Sequence, residues 1–496
     1  TEVRKISDLF SAPAVSVNAF NRLYHNSELY FALFQPAENI HWPGNVKRFQ
    51  VGPYDSDGDG KNDQYAILDA GGKLAVDPKT GFFSEKATSF WTPTEEAPDG
   101  GEPELGGAAS KQPDDPDTRK VFTYTGDYSP DAVKDLSHPE NRLHESNSSI
   151  TEAMLGLPAP DPLATVPEKT LLLQWARGMD VDDEDEDAVT AEARKEMGDP
   201  LHASPVLVSY KHSGTTEDIT LFVTSNDGYL HAIDTDKGTE LFSFVPKEML
   251  ARLKTLRDNL PLSASGRNYG LDGPMTVWIK ENASDTDSNI EPGEGDHVYL
   301  YFGERRGGRN YYALDVTDRD APELLWKIEG GVIGGDFEEL GETWSAPKHT
   351  KVKIGSTETD VLIFGGGYDP NQESATVPVD DGQGRAIYMV NAKTGERLWW
   401  TGNKELSPDL GFAEMTNSIP ANVRVMDLDR DGLADRMYAA DLRGQLWRFD
   451  INNGSDAGGP HVSGALMAQL QKPPAASTPT EADNRRFFNE PDAALI

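Results

Sequence analysis

The fold is decided by a stretch in the middle of the chain, residues 220–242, which reads TLFVTSNDGYLHAIDTDKGTELF. It contains an apolar run, a turn at Asn-Asp-Gly, an alternating strand, a second turn at Asp-Lys-Gly and a further run with aromatic residues. Apolar and β-branched runs bounded by Gly, Asn and Asp are typical of antiparallel strands. The stretch therefore predicts three consecutive strands of one sheet.

The same order of strands and turns recurs further along the chain. Units open at Gly228 (GYLHAID), Gly308 (GRNYYALD), Gly384 (GRAIYMVN) and Gly444 (GQLWRFD), and each follows an apolar strand that itself follows a Pro-containing start. Three or four strands that recur in order predict an all-β fold of the β-propeller type. The opening glycines lie 80, 76 and 60 residues apart, whereas blades typically take about 40–50 residues. We therefore expect long loop insertions.

The remaining segments extend this prediction. Strand-like runs also occupy the first 90 residues, and Trp326, Trp399 and Trp447 are expected to fill spaces between blades. Residues 92–200 are rich in Pro, Asp and Glu and are interpreted as an insertion of loop and short helix. The sequence near the C-terminus, RRFFNEPDAALI, reads as the approach to another strand. The whole of 1–496 is thus interpreted as a single propeller domain that is part of a longer protein.

Composition excludes several classes of function. The chain has 496 residues, 46 Lys and Arg against 83 Asp and Glu, a net charge of −37 and no cysteine. Such a charge leaves no basic surface for nucleic acid or for an anionic membrane. Without cysteine there are no disulfides, thiolate metal sites or cysteine nucleophiles. Neither an apolar run of 18 residues nor a signal peptide is present, so we expect no membrane insertion.

The clearest chemical motif is DLDRDGLAD, residues 427–435. Carboxylates at positions 1, 3, 5 and 9, a glycine at position 6 for a sharp turn and a backbone carbonyl at position 7 match the first nine positions of a calcium loop. The predicted ligands are Asp427, Asp429, Asp431, Asp435 and the carbonyl of Leu433. Position 12 is Tyr438 instead of Glu. The loop is therefore predicted to lie between strands and to be distinct from a helix–loop–helix hand.

A second copy of the motif, DSDGDGKND, covers residues 55–63. Its predicted ligands are Asp55, Asp57, Asp59, Asp63 and the carbonyl of Lys61. Ca²⁺ fits such oxygen sets better than Mg²⁺, which retains water, or Zn²⁺, which prefers nitrogen and sulfur. The alternative is an acidic surface turn, because Asp and Gly are also turn formers. The run Asp180–Asp187 lacks the glycine and the spacing, and is interpreted as a solvated acidic stretch.

Several longer segments resemble a known family. They are NRLYHNSELYFALFQP, AVDPKTGFFSEKATSFW, GGAASK, MGDPLHASPVLVSY, TSNDGYLHAIDTDKGTELFSFVPKEML, YGLDGP and MDLDRDGLADRMYAADLRGQLWRFDI, and they span most of the chain from about residue 20 to 455. In these segments the chain is similar to the C-terminal domain of the PilY1/PilC proteins, which are type IV pilus biogenesis factors and tip-associated fimbrial adhesins.

The resemblance implies a modified seven-bladed β-propeller at the C-terminal end of an exported protein at the bacterial surface, at the pilus tip or the outer membrane. It implies support of pilus assembly by opposing retraction, roles in twitching motility and cell adhesion, and a regulatory calcium loop at 427–435. Pilins or minor pilins and a host-cell surface receptor are the implied partners. Some family members carry an Arg-Gly-Asp loop that binds integrin, but here Arg430-Asp431-Gly432 has a different order.

Two other interpretations stay open at this point. The segments LHAIDTDKGTELF and YMVNAKTGERLWW resemble the tryptophan-docking motifs of quinoprotein dehydrogenases, but these enzymes commonly use a vicinal cysteine pair, which this chain lacks. His202 and His231, placed in strand contexts, are expected to be packed or hydrogen-bonded instead of catalytic. The other interpretation is a calcium-dependent binding scaffold of the FG-GAP type, as in the integrin α propeller. We expect no enzyme activity.

Overall fold

The structure is a computed structural model that describes residues 10–11, 15–16, 27–128, 132, 134–184, 186–213, 216–282, 289–455, 461–470 and 480–494. These residues form five β-sheets, numbered here 1 to 5 in chain order. They also form three α-helices: α1 Glu168–Ala176, α2 Leu253–Asp258 and α3 Leu262–Ser265. Short 3-10 helices lie at Thr94–Glu96, Ala109–Lys111, Pro116–Thr118, Pro139–Asn141, Lys247–Arg252, Pro370–Glu373, Lys404–Leu406 and Glu481–Asp483.

The strands are assigned to the sheets as follows. Sheet 1 contains β1 Phe10–Ser11, β2 Val15–Ser16, β3 Glu28–Phe34, β4 Pro43–Tyr54, β5 Gln64–Leu68 and β7 Met197–Gly198. Sheet 2 contains β6 Val121–Phe122, β8 Val206–Ser213, β9 Thr216–Thr224, β10 Leu230–Asp234 and β11 Glu240–Phe244. Sheet 3 contains β12 Met275–Lys280, β13 His297–Gly303, β14 Tyr311–Asp315 and β15 Glu323–Ile328. Sheet 4 contains β16 Lys348–Ile354, β17 Thr357–Gly365, β18 Ala386–Asn391, β19 Arg397–Asn403 and β20 Leu410–Phe412. Sheet 5 contains β21 Arg424–Met426, β22 Arg436–Ala440, β23 Gln445–Ile451 and β24 Val462–Gln469.

Sheets 2 to 5 share one antiparallel core of four consecutive strands, which confirms the repeat seen in the sequence. In sheets 2 and 4 a short fifth strand pairs in parallel with the outermost of these four: β6 with β11, and β20 with β19. The described part of the chain thus has the repeated sheets of an all-β, propeller-type fold. It contains five such sheets, and the count of seven blades stays a prediction.

Buried side chains join each sheet to the next. Tyr30 and Leu221 belong to one apolar cluster between sheets 1 and 2, and Phe222 and Leu300 belong to another between sheets 2 and 3. Further clusters lie between sheets 3 and 4 and between sheets 4 and 5. Burial of apolar surface between successive sheets is the main stabilising contribution to such a stack.

The three tryptophans lie where the sequence places them. The Trp326 indole N–H of sheet 3 donates to the Ala392 carbonyl of sheet 4 at 3.0 Å. Trp399 of sheet 4 packs edge-on against Phe449 of sheet 5, and Trp447 of sheet 5 lies 5.1 Å from the Phe412 ring of sheet 4. All three are buried, so the prediction that they fill spaces between sheets is confirmed.

Some boundaries differ from the sequence reading for local reasons. The run DQYAILDAGGKLAV forms a strand only to Leu68, because the Asp69 carboxylate accepts the N–H groups of Gly71 and Lys73 and closes a turn. Within 92–200, the described residues are mostly turns with helix α1, and their two short strands β6 and β7 pair with sheets 2 and 1. Described residues 484–494 contain no strand.

Among the described residues, no helix is both long and apolar enough to cross a bilayer.

Candidate metal centre

The loop at 427–435 connects β21 to β22 and is organised by its own carboxylates. Asp427 accepts the backbone N–H groups of Arg430 at 2.6 Å and Gly432 at 2.9 Å. The N–H of Asp431 donates to Asp429, the N–H of Leu433 donates to Asp431, and the N–H of Leu428 donates to Asp435. Every aspartate of the motif therefore holds one or two amides of the same nine-residue turn.

The loop at 55–63, between β4 and β5, repeats these bonds position by position. Asp55 accepts the N–H groups of Gly58 and Gly60, both at 2.7 Å. The N–H groups of Asp59, Lys61 and Ser56 donate to Asp57, Asp59 and Asp63 respectively. In both loops the N–H of position 9 also donates to the carbonyl just before position 1. The two motifs have the same hydrogen-bond register although they lie on different sheets.

Both loops need a left-handed backbone at positions 4 and 6. Position 6 is glycine in both, with φ of +86° at Gly60 and +88° at Gly432. Position 4 is Gly58 in one loop, with φ of +78°, but Arg430 in the other, with φ of +67°. Left-handed conformations are unfavourable for residues with a Cβ. The loop at 427–435 therefore carries backbone strain that its counterpart avoids.

The carboxylates are close enough together to share one cation. Oxygens of Asp427, Asp429 and Asp435 lie within 4.8 Å of one another, and so do oxygens of Asp55, Asp57 and Asp59. Two ligands of a single Ca²⁺ at 2.3–2.6 Å are separated by no more than about 5 Å. A carboxylate has about four lone-pair sites, so amide bonds leave acceptor capacity for an ion. The residues fit Ca²⁺.

In each loop, three of the four predicted carboxylate ligands converge. Asp431 lies outside the cluster at 427–435, and Asp63 lies outside the cluster at 55–63. Asp63 instead accepts both the N–H and the hydroxyl of Ser56. The backbone carbonyls of Leu433 and Lys61 remain predicted ligands. Each loop thus presents three convergent carboxylates.

Amide and hydroxyl donors keep two carboxylates of the exposed loop ionised. The N–H of Gly60 lowers the pKa of Asp55 below its usual range, and the N–H groups of Gly58 and Asp59 add to this effect. The Ser56 hydroxyl and N–H lower the pKa of Asp63 in the same way. Hydrogen bonds to the charged form favour that form. These two carboxylates therefore stay charged to a lower pH than an ordinary aspartate.

Of the two loops, the one at 427–435 packs against a neighbouring sheet. Leu433 and Ala434 are buried, and the Ala434 N–H donates to the Lys351 carbonyl of β16 at 2.8 Å. The Asn453 side chain donates to the Ala434 carbonyl and accepts the Lys353 N–H. Sheets 4 and 5 are thus joined through the second half of this loop. By contrast, residues 56–63 are all exposed on the β4–β5 hairpin.

Two other acidic clusters of the described residues contact arginine side chains. Asp182 accepts two hydrogen bonds from Arg257. Asp180 accepts the N–H of Glu184 and is buried, so the prediction of a solvated stretch is wrong at this residue. A third convergent group, Asp117, His144 and Glu145, was not predicted, because its members are distant in sequence from any motif. Arg177 pairs with both of its carboxylates, at 2.7 and 2.6 Å. A guanidinium therefore already supplies the positive charge.

The two histidines considered as catalysts are both engaged with carboxylates. His231 in β10 is buried and lies 2.7 Å from Glu240. Burial alone would raise the pKa of Glu240, but the Arg119 guanidinium and the His231 ring hold it well below its usual range. His202 lies in a turn, not a strand, with its Nδ1 atom 2.7 Å from Asp272. Both histidines are therefore hydrogen-bonded, as expected.

A family comparison decides the classification. The model of the PilY1 beta-propeller domain matches residues 186–468, more than half of the chain. The chain belongs to the PilY1 β-propeller family. The match includes the loop at 427–435, whereas the loop at 55–63 lies outside it.

Individual relatives agree with this assignment to the PilY1 family. The type IV pilus biogenesis factor PilY1 homolog of Xylella fastidiosa is 32% identical over 238 residues, which is 47% of this chain and 14% of that protein. The type IV pilus biogenesis factor PilY1 of Pseudomonas aeruginosa is 30% identical over 259 residues, 51% of this chain and 19% of that protein. The matched stretch therefore spans less than a fifth of either relative.

A solved structure of the family is also similar. The crystal structure of the Pseudomonas aeruginosa PilY1 C-terminal domain is 25% identical, with 49% of this chain and 42% of that chain covered and a TM-score of 0.33.

Proposed function

We propose that this chain is a calcium-binding β-propeller of a type IV pilus biogenesis factor, which supports pilus assembly by opposing retraction and contributes to twitching motility and surface adhesion. The family match at 186–468 carries the proposal. The convergent carboxylates of Asp427, Asp429 and Asp435 supply its chemistry. A bound Ca²⁺ would neutralise them, since like charges at this separation repel.

The position of the loop suggests what the ion would do. Ala434 is hydrogen-bonded to β16, and Asn453 holds Ala434 and Lys353 together. Residues 427–435 therefore form part of the contact between sheets 4 and 5. Removal of the ion would leave three carboxylates repelling one another beside that contact. Calcium would in this way regulate how firmly the two sheets are held, and hence the surface offered to the pilus.

The finer parts of the proposal follow from the family. The propeller would have seven blades and belong to an exported protein at the bacterial surface, at the pilus tip or associated with the outer membrane. Its partners would be pilins or minor pilins, with a host-cell surface receptor in adhesion. The loop at 55–63 would bind a second calcium ion, because its amide and carboxylate geometry repeats that of 427–435.

An enzymatic role receives no support from the geometry. His202 and His231 are held by Asp272 and Glu240, and His231 is buried. The related proteins are named as pilus biogenesis factors. A binding scaffold of the FG-GAP type would share the calcium loops but not the family match.

Calorimetry tests calcium binding directly. Calcium is titrated into EGTA-stripped protein, and the wild type is compared with Asp435→Ala and Asp63→Ala. We expect two sites, with one weakened in each variant, since position 9 is a predicted ligand in both loops. Absence of binding up to millimolar calcium would refute the metal proposal while leaving the family assignment intact.

A cellular assay tests the pilus role. The Asp435→Ala substitution is introduced into the full-length protein in its source bacterium, and surface pili are counted with retraction active and with the retraction motor inactivated. If the propeller opposes retraction, pili will be lost in the first background and restored in the second. Unchanged piliation and twitching in both would contradict the proposal.

A further inference from the structure

Aromatic rings alternate with guanidinium groups along one end of sheets 3 and 4 and reach Trp42, which precedes β4 of sheet 1. We name this surface the arginine–aromatic stripe and define it by Trp42, Arg267, Tyr269, Arg305, Arg306, Trp344 and Tyr368. Tyr269 precedes β12, Arg305 and Arg306 follow β13, Trp344 precedes β16 and Tyr368 follows β17. Because these strand pairs are antiparallel, the four loops emerge at the same end of their sheets.

Each arginine of the stripe lies close to one or two of its aromatic rings, so the members form a continuous series of contacts. Arg267 lies 3.7 Å from the Trp42 ring and 5.6 Å from Tyr269, and Arg306 lies 5.6 Å from Tyr269. Arg305 and Arg306 lie 4.0 and 5.0 Å from the ring of Trp344. Trp344 stacks on Tyr368 at 4.4 Å. Trp, Tyr and Arg are the residues that contribute most to binding energy at protein interfaces.

A segment of the chain itself occupies one end of this stripe. The Phe488 ring lies 6.3 Å from the rings of both Trp344 and Tyr368, within the range of aromatic pairing. Beyond it, Glu490 pairs with Arg424 at 3.2 Å, and Asp492 lies 3.8 Å from the same guanidinium. The bound sequence is thus an aromatic residue followed by two carboxylates, in a segment with a bend at Asn489 and no helix or strand.

This segment, residues 484–492, is held mainly by side chains. Arg486 donates to the carbonyls of Gln372 and Ala375, and Asn484 donates to Ala375. The Phe487 N–H donates to the Asp441 carbonyl, without a strand ladder. Phe488 is still 45% exposed. A segment with few buried contacts and few backbone bonds opens at low free-energy cost.

The stripe can accept further carboxylates. Arg305 already pairs with Asp272, and Arg306 already pairs with Glu373. A guanidinium has five N–H donors, so one carboxylate partner leaves donors free for a second. In a chain of net charge −37, clustered arginines beside stacked rings form a local surface complementary to an acidic segment.

We propose that the Trp344–Tyr368 face of the stripe is a docking surface for a segment of a partner protein that carries an aromatic residue followed by carboxylates, and that residues 484–492 occupy this surface until such a partner displaces them. The partner ring takes the place of Phe488 and its carboxylates pair with Arg424. A tethered segment competes at an effective concentration of about 1 mM. A free peptide with a Kd of about 100 μM is therefore weakened about tenfold.

The test uses the full chain and a fluorescein-labelled peptide of residues 484–492, NRRFFNEPD. Fluorescence anisotropy measures binding to the wild type and to the Phe488→Ala variant, which empties the surface. Phe82→Ala is the matched control, because Phe82 is also an exposed phenylalanine but lies far from the stripe in sequence. We expect the peptide to bind Phe488→Ala about tenfold more tightly than the wild type or the control.

Three further variants separate loss of peptide recognition from loss of folding. In the Phe488→Ala background, Trp344→Phe should retain peptide binding and Trp344→Ala should lose it. The double variant Glu490→Lys, Asp492→Lys loosens the segment without altering the stripe, and it should also bind the peptide more tightly than the wild type. Equal binding to the wild type and both loosened variants, or no binding to either loosened variant, would overturn the proposal.

Discussion

The loops at 55–63 and 427–435 have the same motif and the same internal hydrogen bonds, but they differ in what lies behind them. In the first, every residue from 56 to 63 is exposed on a hairpin. In the second, Leu433 and Ala434 are buried, and Ala434 is bonded to the neighbouring sheet. A motif therefore determines the shape of a turn, whereas its surroundings determine whether that turn is coupled to the fold.

The largest expected difference is at position 8 of the motif, where Ala434 is 1% exposed and Asn62 is exposed. Ala434→Glu buries a charge without a partner and should lower the free energy of unfolding by about 3 kcal/mol or more. Asn62→Glu should change it by less than about 0.5 kcal/mol. Urea denaturation measures both. Equal effects would show that the two loops have equivalent surroundings.

The second-largest difference between the two loops is expected in how much bound calcium stabilises the fold. Binding to the folded state alone stabilises it by about 2.7 kcal/mol at a calcium concentration of 100 times Kd. We expect Asp427→Ala to remove most of this gain, because docking on β16 preorganises its loop and favours tighter binding. Asp55→Ala should remove the smaller part. Thermal unfolding with calcium and with EGTA measures the gain, and a larger loss in Asp55→Ala would reverse the ranking.

A smaller difference in stability is expected at position 4 of the motif, where the residue of each loop can be exchanged for that of the other. Arg430→Gly removes left-handed strain and should raise the calcium-free stability by up to about 1 kcal/mol. Gly58→Arg introduces that strain and should have the opposite sign, although open space surrounds Gly58. Denaturation in EGTA measures both. If the two substitutions shift stability in the same direction, backbone conformation does not explain the difference between Gly58 and Arg430.

The smallest effect concerns pH at the exposed loop. Because amides and Ser56 lower the pKa values of Asp55 and Asp63, the charged forms stabilise the folded loop. This contribution is fully present above about pH 4, near the unfolded pKa, and is lost as pH falls through the lowered folded values. The Gly60 amide resonance should therefore titrate below pH 4 in calcium-free protein. Asp55→Asn should abolish this titration.

Much of the fold could be predicted because its signals are local. Alternating apolar residues and Gly, Asn or Asp turns predicted the central strands of sheets 2 to 5, and the tryptophans between sheets followed from their place in each unit. The short strands β6 and β20 were missed. They have only two and three residues, too few for a local periodicity to mark them, and β6 exists through pairing with β11, which lies far away in the chain.

The candidate site divides in the same way. The two nine-residue turns with carboxylates at positions 1, 3, 5 and 9 could be recognised from sequence, because each aspartate bonds amides within its own turn. The sequence did not reveal that Asp117, His144 and Glu145 converge on Arg177, or that Arg305 and Arg306 lie over Trp344. Those contacts, and the docking of Ala434 on β16, arise from tertiary packing, since they join residues that lie far apart in the chain.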